Sequence, residues 1–211
     1  MGRLQQITRE LREHAPFTIF GAITGIILIA FFQRVPADIS FNIFYVLHPI
    51  HVVLSALVTV SMYEFHRCDA QGKRCSLWIL LVIGYLGSIG IATLSDSLIP
   101  YLGEVVLDMP NRGIHLGFIE KWWLVNPLAM VGILIAYFRP STKFPHAGHV
   151  LLSTWASLFH MLMAIGQPLS WLTYLGIFVF LFLAVWLPCC VSDIVFPLLF
   201  VKEKTKGKGA L

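Results

Sequence analysis

The sequence predicts an all-α fold: a polytopic transmembrane helix bundle of about six spans. Three observations carry this. The first is composition. Of 211 residues 57% are hydrophobic and only 12% charged, with a mean hydropathy of +0.79. Soluble domains carry about 25% charged residues, so this chain is too apolar to cover itself with a water-facing surface. The second is length of run. Apolar stretches fall at 16–33, 41–63, 77–99, 122–138, 149–168 and 170–200, each near or above the ~20 residues that cross a hydrocarbon core as a helix. The third is where the polar markers fall. Trp78, Trp122, Trp123 and Trp171 stand near span ends, as an interfacial aromatic belt requires.

Each span follows from its flanks. The first has basic residues before it but no small-residue cleavage site, and five more spans follow, so it is read as a retained helix rather than a secretory signal. The second contains Pro49, which removes one backbone donor and can bend the helix. The third carries Gly84, Gly87, Ser88 and Gly90, a small-residue stripe suited to close helix packing. It is expected to end at Pro100. The last run is long and interrupted by Pro188 and Pro197, so a span to about Leu187 followed by a kinked or interfacial tail is expected. Residues 1–211 thus read as one integral membrane domain, with an outer loop over 100–121 that folds back onto its face.

Basic residues give the orientation. Arg3, Arg9 and Arg12, then Arg67, Lys73 and Arg74, then Arg139 and Lys143, and finally Lys202, Lys204, Lys206 and Lys208 alternate sides with acidic loops holding Asp38, Glu104, Asp108 and Glu120. The positive-inside rule places both termini in the cytoplasm, in a plasma (inner) membrane. Net charge is +4, but its location at span ends suits a bilayer partner and not nucleic acid. Cys68, Cys75, Cys189 and Cys190 then all lie at the cytoplasmic end, where thiols stay reduced, and no structural disulfide is expected. A homo-oligomer is compatible with all of this.

Ionisable groups within spans are costly and are functional candidates by default. His48 and His51 lie in span two, Asp96 in span three and His160 in span five. At a rise of 1.5 Å per residue, the three histidines sit about 10–15 Å below the outer boundary, with Asp96 within about a turn of it. His48, His51, Ser55, Thr59 and Met62 share one helical stripe, and Ser153, Ser157, His160 and Ala164 share another. Neutral imidazole is the commonest metal ligand and a carboxylate tunes such a site. His48, His51, His160 and Asp96 are therefore the candidate metal ligands, zinc first among metals, with Asp96 expected in the outer shell. The alternative is that these residues only hydrogen-bond between helices.

Two other polar groups are expected to be mostly solvated. One is Glu104, Asp108, His115 and Glu120 on the outer loop, whose alternative is to cap the cluster or supply a fourth ligand. The other is His146, His149, Cys189, Cys190 and Asp193 at the inner boundary. Phosphate-loop, His-Glu-x-x-His, Gly-x-Ser-x-Gly and haem-attachment motifs are absent from the chain.

Four functions fit these residues. The first is a carrier or channel subunit for a divalent transition metal. The second is a membrane-embedded zinc hydrolase on a lipid-like substrate, with Asp96 as general base or supporting partner. The third is a haem b-binding subunit ligated by His160 and a span-two histidine. The fourth is a structural subunit without a site.

Overall fold

The computed structural model describes residues 3–32, 34–68, 75–166 and 169–190, and it contains helices and no strands among them. In chain order these are α1 (Arg3–Phe32), α2 (Ala37–Tyr63), α3 (Leu77–Thr93), α4 (Ile99–Val106), α5 (Gly117–Glu120), α6 (Trp122–Phe138), α7 (Lys143–Ala164) and α8 (Trp171–Cys190). Short π-helical turns, Glu64–Cys68 and Leu94–Leu98, follow α2 and α3. Four helical stretches are long and apolar enough to cross a membrane: Ala15–Phe32, Ala37–Tyr63, Leu77–Val106 and Trp171–Pro188. The apolar helix Trp122–Phe138 is shorter.

The molecule is built around α2 and α7, which pack on each other most extensively. α3 and α6 flank α2, and α1 and α8 flank α7. Burial explains how α7 carries polar groups inside the bundle. Ser153, Thr154, Ser157 and His160 are all fully buried, and a helix enclosed by protein can carry polar groups that lipid would exclude. The outer surface is the reverse: Phe17, Phe20 and Phe31 of α1, Val82 of α3 and Phe138 of α6 are exposed. Trp78, Trp122, Trp123 and Trp171 are also exposed, each within two residues of a helix start.

Two sequence expectations need correction. The third apolar run does not stop at Pro100. After the π-turn the helix continues as α4 to Val106, with Pro100 in its first turn. Proline is tolerated there because no N–H is demanded of it. In the π-turn the Ile99 N–H reaches the Leu94 carbonyl, five residues back. The Ser95 carbonyl, which would take the missing Pro100 N–H in that pattern, accepts instead from Ser157 Oγ at 2.9 Å. The cysteine reading also fails: Cys68 and Cys75 form a disulfide, with Cα atoms 5.5 Å apart. The two residues end the turn after α2 and precede α3, close enough for a bond whatever the compartment's redox state implied. Residues 191–211, with Asp193 and the lysine-rich tail, lie outside the described residues, as do the side chains of His146, Cys189 and Cys190.

Small residues set the helix spacing. At Gly84 an added Cβ would lie 2.5 Å from Val60 and 2.7 Å from Ile133, so α3 seats against both α2 and α6. Gly90 faces open space and takes no part. At Gly132 of α6 the neighbour is backbone: a Cβ would lie 2.5 Å from the Val53 carbonyl oxygen and 2.9 Å from the Ala56 methyl. Backbone cannot swing aside as a side-chain tip can. Gly132→Ala should therefore destabilise the protein by about 1–3 kcal/mol, read as a lower unfolding midpoint in micelles. Gly90→Ala, with nothing in its way, should lose no stability in the same measurement.

Candidate metal centre

His48 and His51 stand three residues apart on α2, so they share one face, and both are buried. The π-turn supplies their partner. Ser95, Asp96 and Ser97 are consecutive and all fully buried, because this turn is wedged against α7 and α8 as well as continuing α3. Turns of this kind recur at functional sites.

The Asp96 carboxylate is saturated. His48 Nδ1 lies 2.9 Å and His51 Nδ1 2.7 Å from Oδ2. Ser95 Oγ donates to Oδ1 at 2.6 Å and Ser153 Oγ to the same oxygen at 2.8 Å. Ser153 is one helical turn from Ser157, whose hydroxyl is itself within 2.8 Å of the Ser153 carbonyl. An ionised carboxylate only accepts, so both imidazoles present Nδ1–H to it and keep Nε2 as their basic nitrogen. His51 Nε2 is buried without a hydrogen-bond partner among the described residues. His48 Nε2 sits against Gly117, where any Cβ would collide with the ring.

These three residues can hold a metal ion. One ligand atom from each of His48, His51 and Asp96 lies within 4.8 Å of the other two. Around a tetrahedral zinc at 2.0–2.1 Å, ligand atoms stand about 3.3 Å apart. The two Nδ1–Oδ2 contacts would have to open by only about half an ångström for an ion to enter between them, each neutral imidazole then carrying its proton on Nε2 in place of Nδ1. The serine hydroxyls would then orient the carboxylate from behind, the usual arrangement around a ligating group. Asp96 is thus level with the histidines and in direct contact with them, where the sequence reading placed it a turn too shallow.

His160, expected beside them, is engaged elsewhere. Its Nδ1 meets Glu104 Oε1 at 2.8 Å, and it approaches the centre through Phe44, whose ring lies 5.2 Å from His48 and 5.6 Å from His160. Glu104 was expected in solvent but is only 1% exposed. The continuation of α4 past Pro100 carries it inward, and Gly113 N–H donates to its Oε2 at 3.2 Å. The apolar character of 99–106 on both sides of the proline was the available signal. On the far side of the centre, His149 is fully buried and stacks on His51 with ring centroids 5.8 Å apart; the sequence reading had set it near the boundary. Below it on α2 lie buried Ser55, Thr59 and Ser61.

The segment 107–121 covers the centre. Ser97 Oγ donates to the His115 carbonyl at 2.6 Å and Asn126 Nδ2 to the Phe118 carbonyl at 3.2 Å. Within this cover Glu120 Oε2 accepts from Tyr45 OH at 2.5 Å and faces His115 Nδ1 at 3.3 Å. Asp108 and Arg112 pair at the exposed tip, 3.5 Å apart.

No protein-family model, curated protein or solved structure matches the chain.

Removing one member of a buried, paired charge set is costly. Asp96→Ala should lower stability by about 3–5 kcal/mol. Ser153→Ala, which takes away one of four donors, should cost about 1–2 kcal/mol. Equal and negligible losses in chemical denaturation would mean that the carboxylate is not the anchor described.

Proposed function

We propose that this chain is an integral membrane carrier or channel subunit for a divalent transition-metal cation, zinc first, with His48, His51 and Asp96 as its binding centre. The observation that carries this reading is electrostatic. Among the described residues the charged partners of Asp96 are two histidines, which need not be charged, and the carboxylate is fully buried. A buried anion requires a counter-charge, and a divalent cation between Oδ2 and the imidazoles supplies it. Transport is favoured over catalysis by the polar groups that continue the His48–His51 face beyond the centre, Ser55 and Thr59 on α2 with His149 stacked beside His51. A hydrolase needs no such continuation.

In this reading α1, α2, the joined α3 and α4, α6, α7 and α8 are the six crossings. The ends with Arg12, Arg139 and Lys143 face the cytoplasm by their basic residues. The disulfide at that same end points the other way, since such bonds are uncommon in reducing compartments. A C-terminal reporter pair decides between them: cytoplasmic activity is expected, and activity only in the exported form would reverse every side assigned here.

Purified protein should bind Zn²⁺ at a 1:1 ratio in calorimetry. His48→Ala and His51→Ala should each abolish that binding, because two remaining ligands rarely hold a divalent ion. Proteoliposomes should take up the metal, and the same variants should not. Binding without uptake would favour the zinc hydrolase, and a Soret band in place of zinc would favour haem.

A further inference from the structure

The carrier reading leaves unused a second buried acid–imidazole pair, and resting on that reading we propose that Glu104 and His160 form a proton-binding site that empties when the metal centre fills. The pair is built for this. Both side chains are essentially inaccessible, at 0% and 1% exposure, and they meet at 2.8 Å. Glu104 is held by the Gly113 N–H on its other oxygen, while His160 Nε2 is buried with no hydrogen-bond partner among the described residues. A structural pair would be expected to satisfy that nitrogen. A site that gains and loses a proton needs one lone pair in reserve.

The pair has a route to water. His115 lies edge-on to His160, ring centroids 5.3 Å apart, and its own Nδ1 faces Glu120. His115 is about a quarter exposed and Glu120 about a third. A proton leaving His160 thus has a titratable, partly solvated imidazole as its next stop, with a carboxylate behind it. The groups facing the pair are His115, backed by Glu120, from the covering segment and His48 of α2 beyond Phe44; Lys121 lies over the Phe41 and Tyr45 rings. On α8 the nearest described neighbour of this part of α4 is the apolar Phe180, packed at Gly103.

Coupling follows from distance and dielectric. His48 and His160 each stack on or abut the same Phe44 ring, so one aromatic ring bridges a ligand of the centre and the pair. Two positive charges arriving at the centre disfavour a third, so the second proton that the pair holds on His160 Nε2 is expelled through His115 towards that face, leaving a neutral imidazole with Nδ1–H still on Glu104. Atoms balance simply: one metal ion binds, one proton leaves the pair, and no bond to carbon or redox partner is involved. The transported species would then be metal in exchange for a proton.

The test counts protons. Zn²⁺ is titrated into purified protein at mildly acidic pH in buffers of different ionisation enthalpy, which yields the protons released per metal bound. Glu104→Gln should still bind one Zn²⁺ but release about one proton fewer than the parent protein, and His160→Gln should do the same. In proteoliposomes both variants should lose the acidification or alkalinisation that accompanies zinc uptake. Identical proton counts in parent and variants, with zinc bound normally, would overturn the proton site and leave the metal centre standing. No zinc binding by the parent protein would overturn both. Should Glu104→Gln fail to fold, His160→Gln carries the comparison alone.

Discussion

A single carboxylate with four donors around it organises this molecule. Asp96 draws hydrogen bonds or ion pairs from α2 twice, from its own turn once and from α7 once. Those three elements are the ones that pack at the centre of the bundle. An apolar interface between helices permits sliding and rotation with little change in energy, particularly where lipid competes as an equally apolar neighbour. A buried carboxylate does not, because each lost donor leaves part of a charge unsolvated. The anchor therefore fixes the register of α2, α3 and α7 relative to one another, and the apolar contacts fill in around it.

That anchor is possible because the backbone departs from regular helix where it sits. The π-turn Leu94–Leu98 and Pro100 together leave carbonyls without their usual donors, and Ser157 from α7 takes up one of them. The same hydroxyl-bearing stretch of α7 also supplies Ser153 to the carboxylate. One pair of serines a turn apart thus stabilises both the irregular backbone and the charged side chain it presents. Glycines at 84 and 132 bring α3 and α6 close enough to α2 for this geometry to close.

Beyond the centre, the described polar groups are arranged in steps. Glu120 and His115 are partly exposed, Glu104 and His160 are buried beneath them, Asp96 with its two histidines lies past Phe44, and His149 lies past His51. Aromatic and imidazole rings separate the steps, so charge can pass between neighbours only when a proton or an ion moves.

Much of this was legible from residue order. Composition and run length gave the all-helical class, the long apolar helices and the exposed tryptophans. The three- and four-residue spacings placed His48, His51, Ser55 and Thr59, and likewise Ser153, Ser157 and His160, on buried faces, since periodicity is a local property of the helix. What the chain order could not convey is which helix turns meet. His160 was assigned to the same site as His48 and His51 from matched depth, yet depth fixes one coordinate of three, and the rotation of α7 and the inward course of α4 gave it Glu104 instead. Pro100 reads as a stop because proline usually breaks helices; only packing against α7 supplied the hydroxyl that lets the helix continue, and with it the burial of Glu104. The Cys68–Cys75 bond was likewise missed, because the reading rested on compartment while the pairing depends on where the two chain ends around that short connection come together. Sequence by itself determined the solvent each face requires, through the hydrophobic cost of every side chain. Tertiary structure alone decided which polar groups become partners, because that depends on the relative rotation and register of helices far apart in the chain.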